Sequence, residues 1–301
     1  MTTAQTTANG ISITYEDKGP KDGPAILLVM GLGGQLTLWP DEFVDALNAH
    51  GFRTIRYDNR DVGLSTRFEA AGVPNIKWMV VKSIFGLPVR PAYTLADMAA
   101  DGMALLDHLG IARAHIVGAS MGGMIAQHIA ARYPGRTLSL TSVMSTTGNR
   151  RLPRAQKEVM QVLANRPMSG DPEDMIAYSV RAARVIGSPG YPAAEERLQR
   201  RVRADFERGF YPQGVARQMA AIVADGDRRS LLKSVKAPTL VIHGEDDPLV
   251  PIAGGRDTAE HIAGARLLTI PGMGHDLPLA LVDTLADAIA GHAKETAAVA
   301  A

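Results

Sequence analysis

The chain of 301 residues contains no cysteine, which excludes disulfide bonds, thiolate nucleophiles and cysteine-based zinc sites. It also has almost no net charge, because 32 basic residues oppose 31 acidic ones and leave a formal charge of +1. A chain whose charges balance in this way has no overall electrostatic field that would attract nucleic acid or an anionic membrane. These absences favour a cofactor-free and metal-free oxygen nucleophile that acts on a small molecule.

Long apolar runs are missing as well. No stretch reaches the roughly 20 apolar residues that span a bilayer, and the first ten residues, MTTAQTTANG, lack the basic start and apolar centre of a secretory signal. We therefore expect no membrane span and a cytoplasmic location. Ordinary core material is abundant, since hydrophobic residues make up 46% of the chain and charged residues 21%. This composition is sufficient to bury a large core.

Short β-branched runs alternate with longer amphipathic stretches, which predicts an α/β fold with a mostly parallel sheet and helices on both faces. Several of the short runs lack polar alternation, as expected for strands that are buried on both sides. The candidate strands are 11–16, 25–30, 52–58, 114–119, 138–144, 238–244 and 265–270. The candidate helices are 40–50, 95–110, 121–133, 254–263 and 279–293.

This alternation stops in the segment 148–229, where Pro and Gly separate helical stretches. We interpret 148–229 as a helical cap, or lid, inserted into a hydrolase core formed by 1–147 and 230–301. The cap carries 15 Lys and Arg against 10 Asp and Glu, which favours a solvated surface and leaves attraction of anionic substrates as the alternative. A second irregular segment, 68–92, has three interpretations: a lid element, packing under the cap, or a homodimer contact.

The pentapeptide from Gly118 to Gly122 has the G-x-S-x-G pattern of a nucleophile elbow, with a predicted strand before it and a predicted helix after it. So sharp a turn strains the backbone of the serine, and side chains two positions to either side would collide, so glycine is needed there. Ser120 then lies at the positive end of a helix, where developing negative charge is favoured. We predict Ser120 as the nucleophile, with a purely structural turn as the alternative.

A serine hydroxyl is a weak nucleophile and needs a base that is oriented by a third group. Of eight histidines, His275 alone follows a late strand on a glycine-rich loop, IPGMGHDLP, and we predict it as the general base. The acid is expected just beyond the preceding strand, where Glu245, Asp246 and Asp247 are adjacent. Because Asp247 precedes Pro248, which favours extended backbone, we select Asp247 and keep Asp246 as the alternative.

Acyl transfer also requires hydrogen-bond donors for the oxyanion of the tetrahedral intermediate. The backbone N–H of Met121, directly after the nucleophile, is one candidate, and the N–H of Leu32, in the glycine loop after an early strand, is the other. Gly31, Gly33 and Gly34 let this loop approach a substrate closely. A phosphate-binding role for the loop fails, because it matches neither G-x-G-x-x-G nor G-x-x-x-x-G-K-[ST].

The chain resembles the α/β-hydrolase family over essentially its whole length. The motifs that carry the resemblance are, in chain order, the glycine loop, YDNRDVGLS, GASMGG, HGEDDPLVP and PGMGHDLP. Within this family the chain looks like the aclacinomycin methylesterase branch, because it has VMG followed by WPDEF, RYDNRD and IPGMGHDLP. The resemblance implies a serine esterase acting on a methyl ester of a polyketide, with Ser120, Asp247 and His275 as its triad. Met30 departs from the histidine common before the loop glycine, and Asp61 departs from a glycine common after the arginine.

We therefore expect a serine hydrolase that cleaves carboxylic esters through an acyl-enzyme, on a methyl ester or lactone of a polyketide-like substrate. The same triad leaves four alternative activities: lactonase, thioesterase, C–C hydrolase and cofactor-free perhydrolase. A non-catalytic small-molecule binding protein or receptor is the alternative from another class. Epoxide hydrolase and haloalkane dehalogenase are disfavoured, because those reactions on this fold need a carboxylate in place of Ser120.

Overall fold

The computed structural model describes residues 3–165, 167 and 171–299. Within these residues a single sheet has the strand order β1-β2-β4-β3-β5-β6-β7-β8. The strands are β1 (Ala4–Ala8), β2 (Ile11–Lys18), β3 (Ala25–Val29), β4 (Arg53–Tyr57), β5 (Ala114–Ala119), β6 (Thr137–Val143), β7 (Thr239–Gly244) and β8 (Arg266–Ile270). Strand β2 pairs antiparallel with both of its neighbours, β1 and β4. The other six strands, β4-β3-β5-β6-β7-β8 in sheet order, pair with one another in parallel.

Helices cover both faces of this sheet. They are α1 (Asp41–Ala49), α2 (Ile76–Ile84), α3 (Leu95–His108), α4 (Met121–Arg132), α5 (Lys157–Ala164), α6 (Pro172–Ile186), α7 (Glu195–Gly209), α8 (Pro212–Asp225), α9 (Arg229–Leu232), α10 (Ala253–Glu260) and α11 (Val282–Val299). One apolar cluster joins α3 and α4 to the sheet, and a second joins α1 and α11 to it. Every residue of β3, β5 and β7 is buried. The predicted α/β class with a mostly parallel, doubly covered sheet is confirmed.

The first strand, β1, was not predicted, because AQTTA is polar and short. It forms a hairpin with β2 in which Ala8 pairs with Ile11 across a two-residue loop. The loop residues Asn9 (φ 50) and Gly10 (φ 75) both have left-handed backbone, which is the geometry of the type I′ turn that Asn-Gly favours. The dipeptide Asn-Gly was therefore the sequence signal for this strand.

Helices α5 to α9 lie between β6 and β7, where residues 148–229 interrupt the predicted strand pattern. Helices α6 and α7 share an apolar cluster of their own, so this insert has a small core apart from the sheet. Helix α2, in the segment 68–92, packs against α8. Within the described residues, no helix has the length and apolar character needed to cross a membrane. The division into a core and a cap stays a prediction.

The carboxyl ends of β3, β5, β7 and β8 meet at one edge of the sheet, because these strands are parallel. The loops that follow them carry Leu32, Ser120, Asp247 and His275, in that order. In open α/β sheets, ligands bind outside this edge. The topology therefore brings residues more than 200 positions apart along the chain to one location.

Candidate active site

Ser120 occupies a strained turn between β5 and α4. Its backbone angles are φ 57 and ψ −120, a combination that residues other than glycine rarely adopt. A Cβ atom added to Gly118 would overlap the carbonyl oxygen of Gly122, and one added to Gly122 would overlap that of Val29. The N–H of Ser120 donates to the carbonyl oxygen of Val143 at 2.9 Å, which ties the turn to β6. The two flanking glycines are thus what permits the turn.

Ser120, His275 and Asp247 form a continuous chain of hydrogen bonds. Nε2 of His275 lies 2.9 Å from Oγ of Ser120, and Nδ1 of His275 lies 2.7 Å from Oδ2 of Asp247. His275 and Asp247 are buried. The two ring nitrogens of one imidazole therefore bridge a hydroxyl and a carboxylate, which is the arrangement that activates a serine hydroxyl.

The carboxylate of Asp247 is held in its ionised form. Burial raises its pKa, but the charge of His275, the nearby ring of His243, whose Nε2 lies 3.5 Å from Oδ2, and the hydrogen bond from His275 outweigh burial and bring the pKa down to about 2. Its second oxygen, Oδ1, accepts hydrogen bonds from the backbone N–H groups of Leu249 and Val250 at 2.9 and 2.8 Å. One oxygen is thus fixed by the backbone, and the other faces the imidazole.

The alternative acid, Asp246, points elsewhere. Its Oδ2 accepts a hydrogen bond from the N–H of Gly272 at 2.8 Å, and the residue is exposed. Asp276, adjacent to the histidine, bonds to Oγ of Ser188 at 2.5 Å, and burial raises its pKa. The structure therefore brings Asp247, and neither Asp246 nor Asp276, to Nδ1 of His275.

The loop that carries His275 is held by the end of α6. The N–H of His275 donates to the carbonyl oxygen of Ile186 at 2.7 Å, and the N–H of Gly274 donates to Oγ of Ser188 at 2.8 Å. A side chain at Gly274 would overlap the carbonyl oxygen of Gly187. Ile186 and Ser188 were not predicted from the sequence, because contacts between distant segments have no local signature.

The glycine loop after β3 runs beside the nucleophile. A Cβ atom added to Gly31 would lie 3.1 Å from Cβ of Ser120. The loop closes on itself where the N–H of Gly34 donates to the carbonyl oxygen of Gly31 at 3.1 Å. Between them Gly33 has φ 65, which a turn of type II requires at its third residue. Glycine at 31 and 33 therefore fits both the close approach and the turn.

The two predicted oxyanion donors flank Ser120. Leu32 lines the same cavity as Ser120, and Met121 is the first residue of α4, at the end where backbone N–H groups lack partners within the helix. In the described part of the chain, neither the N–H of Leu32 nor that of Met121 has a hydrogen-bond acceptor. Both groups are available to a ligand oxygen.

Gln218, on α8, holds the glycine loop in place and was missed by sequence analysis. The side chain is fully buried. Its Oε1 accepts a hydrogen bond from the N–H of Gly33 at 2.8 Å, and its Nε2 donates to the carbonyl oxygen of Arg60 at 2.8 Å. Nδ2 of Asn59 also donates to the carbonyl oxygen of Met30 at 2.9 Å. Side chains from two other segments thus fix both ends of the loop.

A cavity of about 420 Å³ opens at Ser120 and His275. Its wall is mostly apolar and comes from both the sheet side and the insert. The sheet side contributes Met30, Leu32, Leu38, Val62, Met144, Leu249 and Leu277, and the insert contributes Leu163, Ile186, Val202, Phe206, Phe210 and Val215. A mostly apolar lining is typical of sites for small molecules with a large apolar part.

One group of potential metal ligands occurs among the described residues, and it lies outside this cavity. Asp257, Glu260 and His261, at the end of α10, have ligand atoms within 4.8 Å of one another. Asp257 already accepts a hydrogen bond from Oγ1 of Thr147, and Nδ1 of His261 lies 2.7 Å from the carbonyl oxygen of Asp257. These contacts stabilise the helix end, and none of the three residues touches the triad.

Comparison with known proteins agrees with the fold. Residues 24–279 match a model of the alpha/beta hydrolase fold. The chain belongs to the α/β-hydrolase family. This α/β-hydrolase is 30% identical to rhodomycin D methylesterase DauP of Streptomyces sp. (strain C5), over 98% of its own length and 99% of the relative's. The predicted resemblance to serine esterases of the methylesterase branch is confirmed.

Solved structures of other α/β-hydrolases have the same fold. The enol-lactonase of Burkholderia xenovorans LB400 superposes with a TM-score of 0.72 at 26% identity, over 97% of this chain and 100% of that one. A meta-cleavage product hydrolase of Pseudomonas fluorescens IP01 gives a TM-score of 0.75 at 20% identity, over 97% of each chain, and shows the fold alone. The family match and the methylesterase relative identify the α/β-hydrolase as a carboxylic ester hydrolase, as predicted.

Proposed function

We propose that Ser120, His275 and Asp247 are the catalytic triad of this carboxylic ester hydrolase. The observation that supports this assignment is the unbroken hydrogen-bonded path from Oγ of Ser120 through the imidazole to Oδ2 of Asp247, at 2.9 and 2.7 Å, beside an apolar cavity. In this arrangement Asp247 orients the ring and stabilises the imidazolium that forms during reaction.

Acylation begins when Oγ of Ser120 attacks the ester carbonyl carbon and its proton moves to Nε2 of His275. The carbonyl oxygen becomes an oxyanion, for which we propose the N–H groups of Leu32 and Met121 as donors. The C–O bond to the alcohol then breaks, and the alcohol leaves with the proton from His275. An acyl group remains on Ser120.

Deacylation repeats these steps with water as the nucleophile. His275 takes a proton from the water molecule, whose oxygen attacks the acyl carbon, and the same two N–H groups receive the second oxyanion. When this intermediate collapses, the carboxylic acid is released and the proton returns to Oγ of Ser120. The cycle needs no group beyond the protein side chains, the backbone and water.

We propose a methyl ester on a polyketide-like ring system as the substrate. The relative that matches nearly the whole chain is a rhodomycin D methylesterase, and an apolar cavity suits the large ring system of such a molecule. Helices α6 to α8 supply much of the cavity wall, so we propose that residues 148–229 act as a cap that selects the substrate. The methylesterase match over nearly the whole chain favours an ester over the substrates of a thioesterase, C–C hydrolase or perhydrolase, and favours an enzyme over a non-catalytic receptor.

A panel of esters tests the substrate proposal. Methyl esters of polycyclic aromatic acids are compared with ethyl and butyl esters of the same acids, and with simple lactones, by measuring kcat/KM. We expect the methyl esters of large ring acids to have the highest values. Faster hydrolysis of simple lactones, or equal rates for large and small acids, would contradict the proposal.

The cytoplasmic location and the homodimer contact through 68–92 stay predictions.

A further inference from the structure

An exposed apolar surface lies on α2 and the turn that follows it. Seven of the eleven exposed large hydrophobic side chains in the described residues fall between positions 73 and 87. We define the α2 patch as Trp78, Val81, Ile84, Phe85 and Leu87. Phe85 is 75% exposed, Ile84 62% and Trp78 55%. Contiguous apolar surface of this kind is rare on a soluble monomer and marks a place of interaction.

The orientation of α2 explains the exposure. Its inner side rests on α8, where Oγ of Ser83 donates to the carbonyl oxygen of Val223 at 3.3 Å. Trp78, Val81 and Phe85 are spaced three and four residues apart, so they share the opposite side of the helix. The patch therefore faces away from the protein, while α8 beneath it contributes Val215 to the catalytic cavity.

Positive charge surrounds the α2 patch. Lys77, Lys82 and Arg90 belong to the same segment, and no acidic residue occurs from position 70 to position 96. The guanidinium of Arg150 donates to the carbonyl oxygen of Ser83 at 2.7 Å, which brings the start of the basic segment 150–157 against the end of α2. The chain as a whole carries only +1, so this segment is more positive than the chain average.

We propose that the α2 patch docks on the surface of an anionic lipid bilayer. A helix and following turn that expose Trp, Phe and aliphatic residues beside Lys and Arg are suited to the boundary between headgroups and acyl chains. Each basic side chain near an anionic membrane adds attraction to the surface. The helix would lie in the interface, and it would not cross the membrane.

A second copy of the chain fits the patch less well. Across a twofold axis the patch would face itself, so Lys77 and Lys82 of one copy would approach the same lysines of the other. The segment from 70 to 96 offers no carboxylate to pair with them. Lipid phosphates supply the negative charge that this segment lacks.

Binding to vesicles tests the proposal with the full-length chain. Co-sedimentation is measured with vesicles of phosphatidylcholine alone and of phosphatidylcholine mixed with phosphatidylglycerol. We expect binding to the mixed vesicles, weaker binding in high salt, and little binding to phosphatidylcholine alone. Trp39 is fully buried, so a shift of the fluorescence emission to the blue on binding reports Trp78, the second of the two tryptophans.

Matched variants locate the contact. The double substitution Ile84→Ser and Phe85→Ser should weaken binding by about tenfold or more, and Lys77→Glu should weaken it as well. Leu267→Ser, which changes an exposed apolar residue on β8, should bind like the wild type. All variants should hydrolyse a water-soluble ester at the wild-type rate without vesicles, because α2 is separate from the triad. That control distinguishes loss of docking from failure of the proposed esterase function.

Two results would overturn the proposal. One is that the wild type does not sediment with the mixed vesicles, or that the double variant sediments equally well. The other is that light scattering shows a dimer which the double variant abolishes, with no lipid binding by either protein. The second result would identify another copy of the chain as the occupant of the α2 patch.

Discussion

Asp61 and Arg217 form a buried bidentate ion pair that joins the loop after β4 to helix α8. Each carboxylate oxygen of Asp61 lies 2.8 Å from a guanidinium nitrogen of Arg217, and their side chains are 0% and 2% exposed. Asp61 also has left-handed backbone, with φ 66, a conformation that favours glycine. The ion pair gives a structural reason for an aspartate at this position.

The first prediction concerns that pair. Asn tolerates left-handed backbone as Asp does, so Asp61→Asn removes the charge with little added strain. Arg217 is then buried without its counter-charge, and we expect the free energy of unfolding to fall by roughly 3–5 kcal/mol, measured by urea denaturation. The double change Asp61→Asn and Arg217→Met should cost less than the sum of the two single changes. A single-variant loss below about 1 kcal/mol would contradict this account.

The second prediction concerns Gln218 as a positioning residue. Gln218→Met keeps the length of the side chain but removes both hydrogen bonds, so the N–H of Leu32 loses its fixed orientation. We expect kcat to fall about 10- to 100-fold with a small change in KM, since an oxyanion donor acts mainly in the transition state. Gln218→Glu can still accept from the N–H of Gly33 and should recover part of kcat. Equal effects of Met and Glu, or a change in KM alone, would argue against positioning.

The third prediction separates the two candidate acids. Asp247→Asn should lower kcat by roughly 10²–10⁴-fold, because the amide cannot stabilise the imidazolium as a carboxylate does. Asp246→Asn should leave kcat within about threefold of the wild type, since its carboxylate contacts the N–H of Gly272 and no triad atom. Steady-state kinetics on one methyl ester decides between them. A larger loss for Asp246→Asn would reassign the acid.

Ser120 and His275, which we propose as nucleophile and base, could be selected from the sequence because each has a local signature. Gly118 and Gly122 flank Ser120 for a steric reason that the structure makes explicit, and a glycine-rich loop precedes His275. The choice of Asp247 depended only on its position before Pro248, and a neighbouring carboxylate was equally close in sequence. Only the three-dimensional path of the loop distinguishes Asp246, which faces the N–H of Gly272, from Asp247.

What the sequence could not provide is contact between distant segments. Gln218 lies 185 residues from Gly33, and nothing near either residue indicates their hydrogen bond. The exposure of α2 was equally hidden, because KWMVVKSIF has the composition of a buried element. By contrast, the hairpin of β1 had a local signal in Asn9 and Gly10, so its omission was an error of interpretation.

The fourth prediction is a dependence of stability on pH. Burial, followed by the positive charges of His292 and Arg113, lowers the pKa of His115 from 6.5 to about 4. Between those values the unfolded chain binds a proton that the folded state does not, so the free energy of unfolding falls as the pH falls from 6.5 to 4. The loss attributable to this group is roughly 3 kcal/mol.

His115→Gln checks that prediction, since glutamine does not titrate and retains a polar partner for Ser139, whose Oγ lies 2.8 Å from Nδ1 of His115. Urea denaturation at several pH values should show a shallower decrease in stability for the variant than for the wild type. Parallel curves for the two proteins between pH 6.5 and 4 would show that His115 is not the titrating group.

The most direct test of the triad is covalent labelling of the native enzyme by a serine-reactive phosphonate. We predict one adduct per chain by intact-protein mass spectrometry, located on Ser120 by peptide mapping. Ser120→Ala should give no adduct, and His275→Ala should react far more slowly, because the hydroxyl loses its base. Absence of labelling in the folded wild type, or the same adduct in Ser120→Ala, would contradict the assignment of Ser120 as the nucleophile.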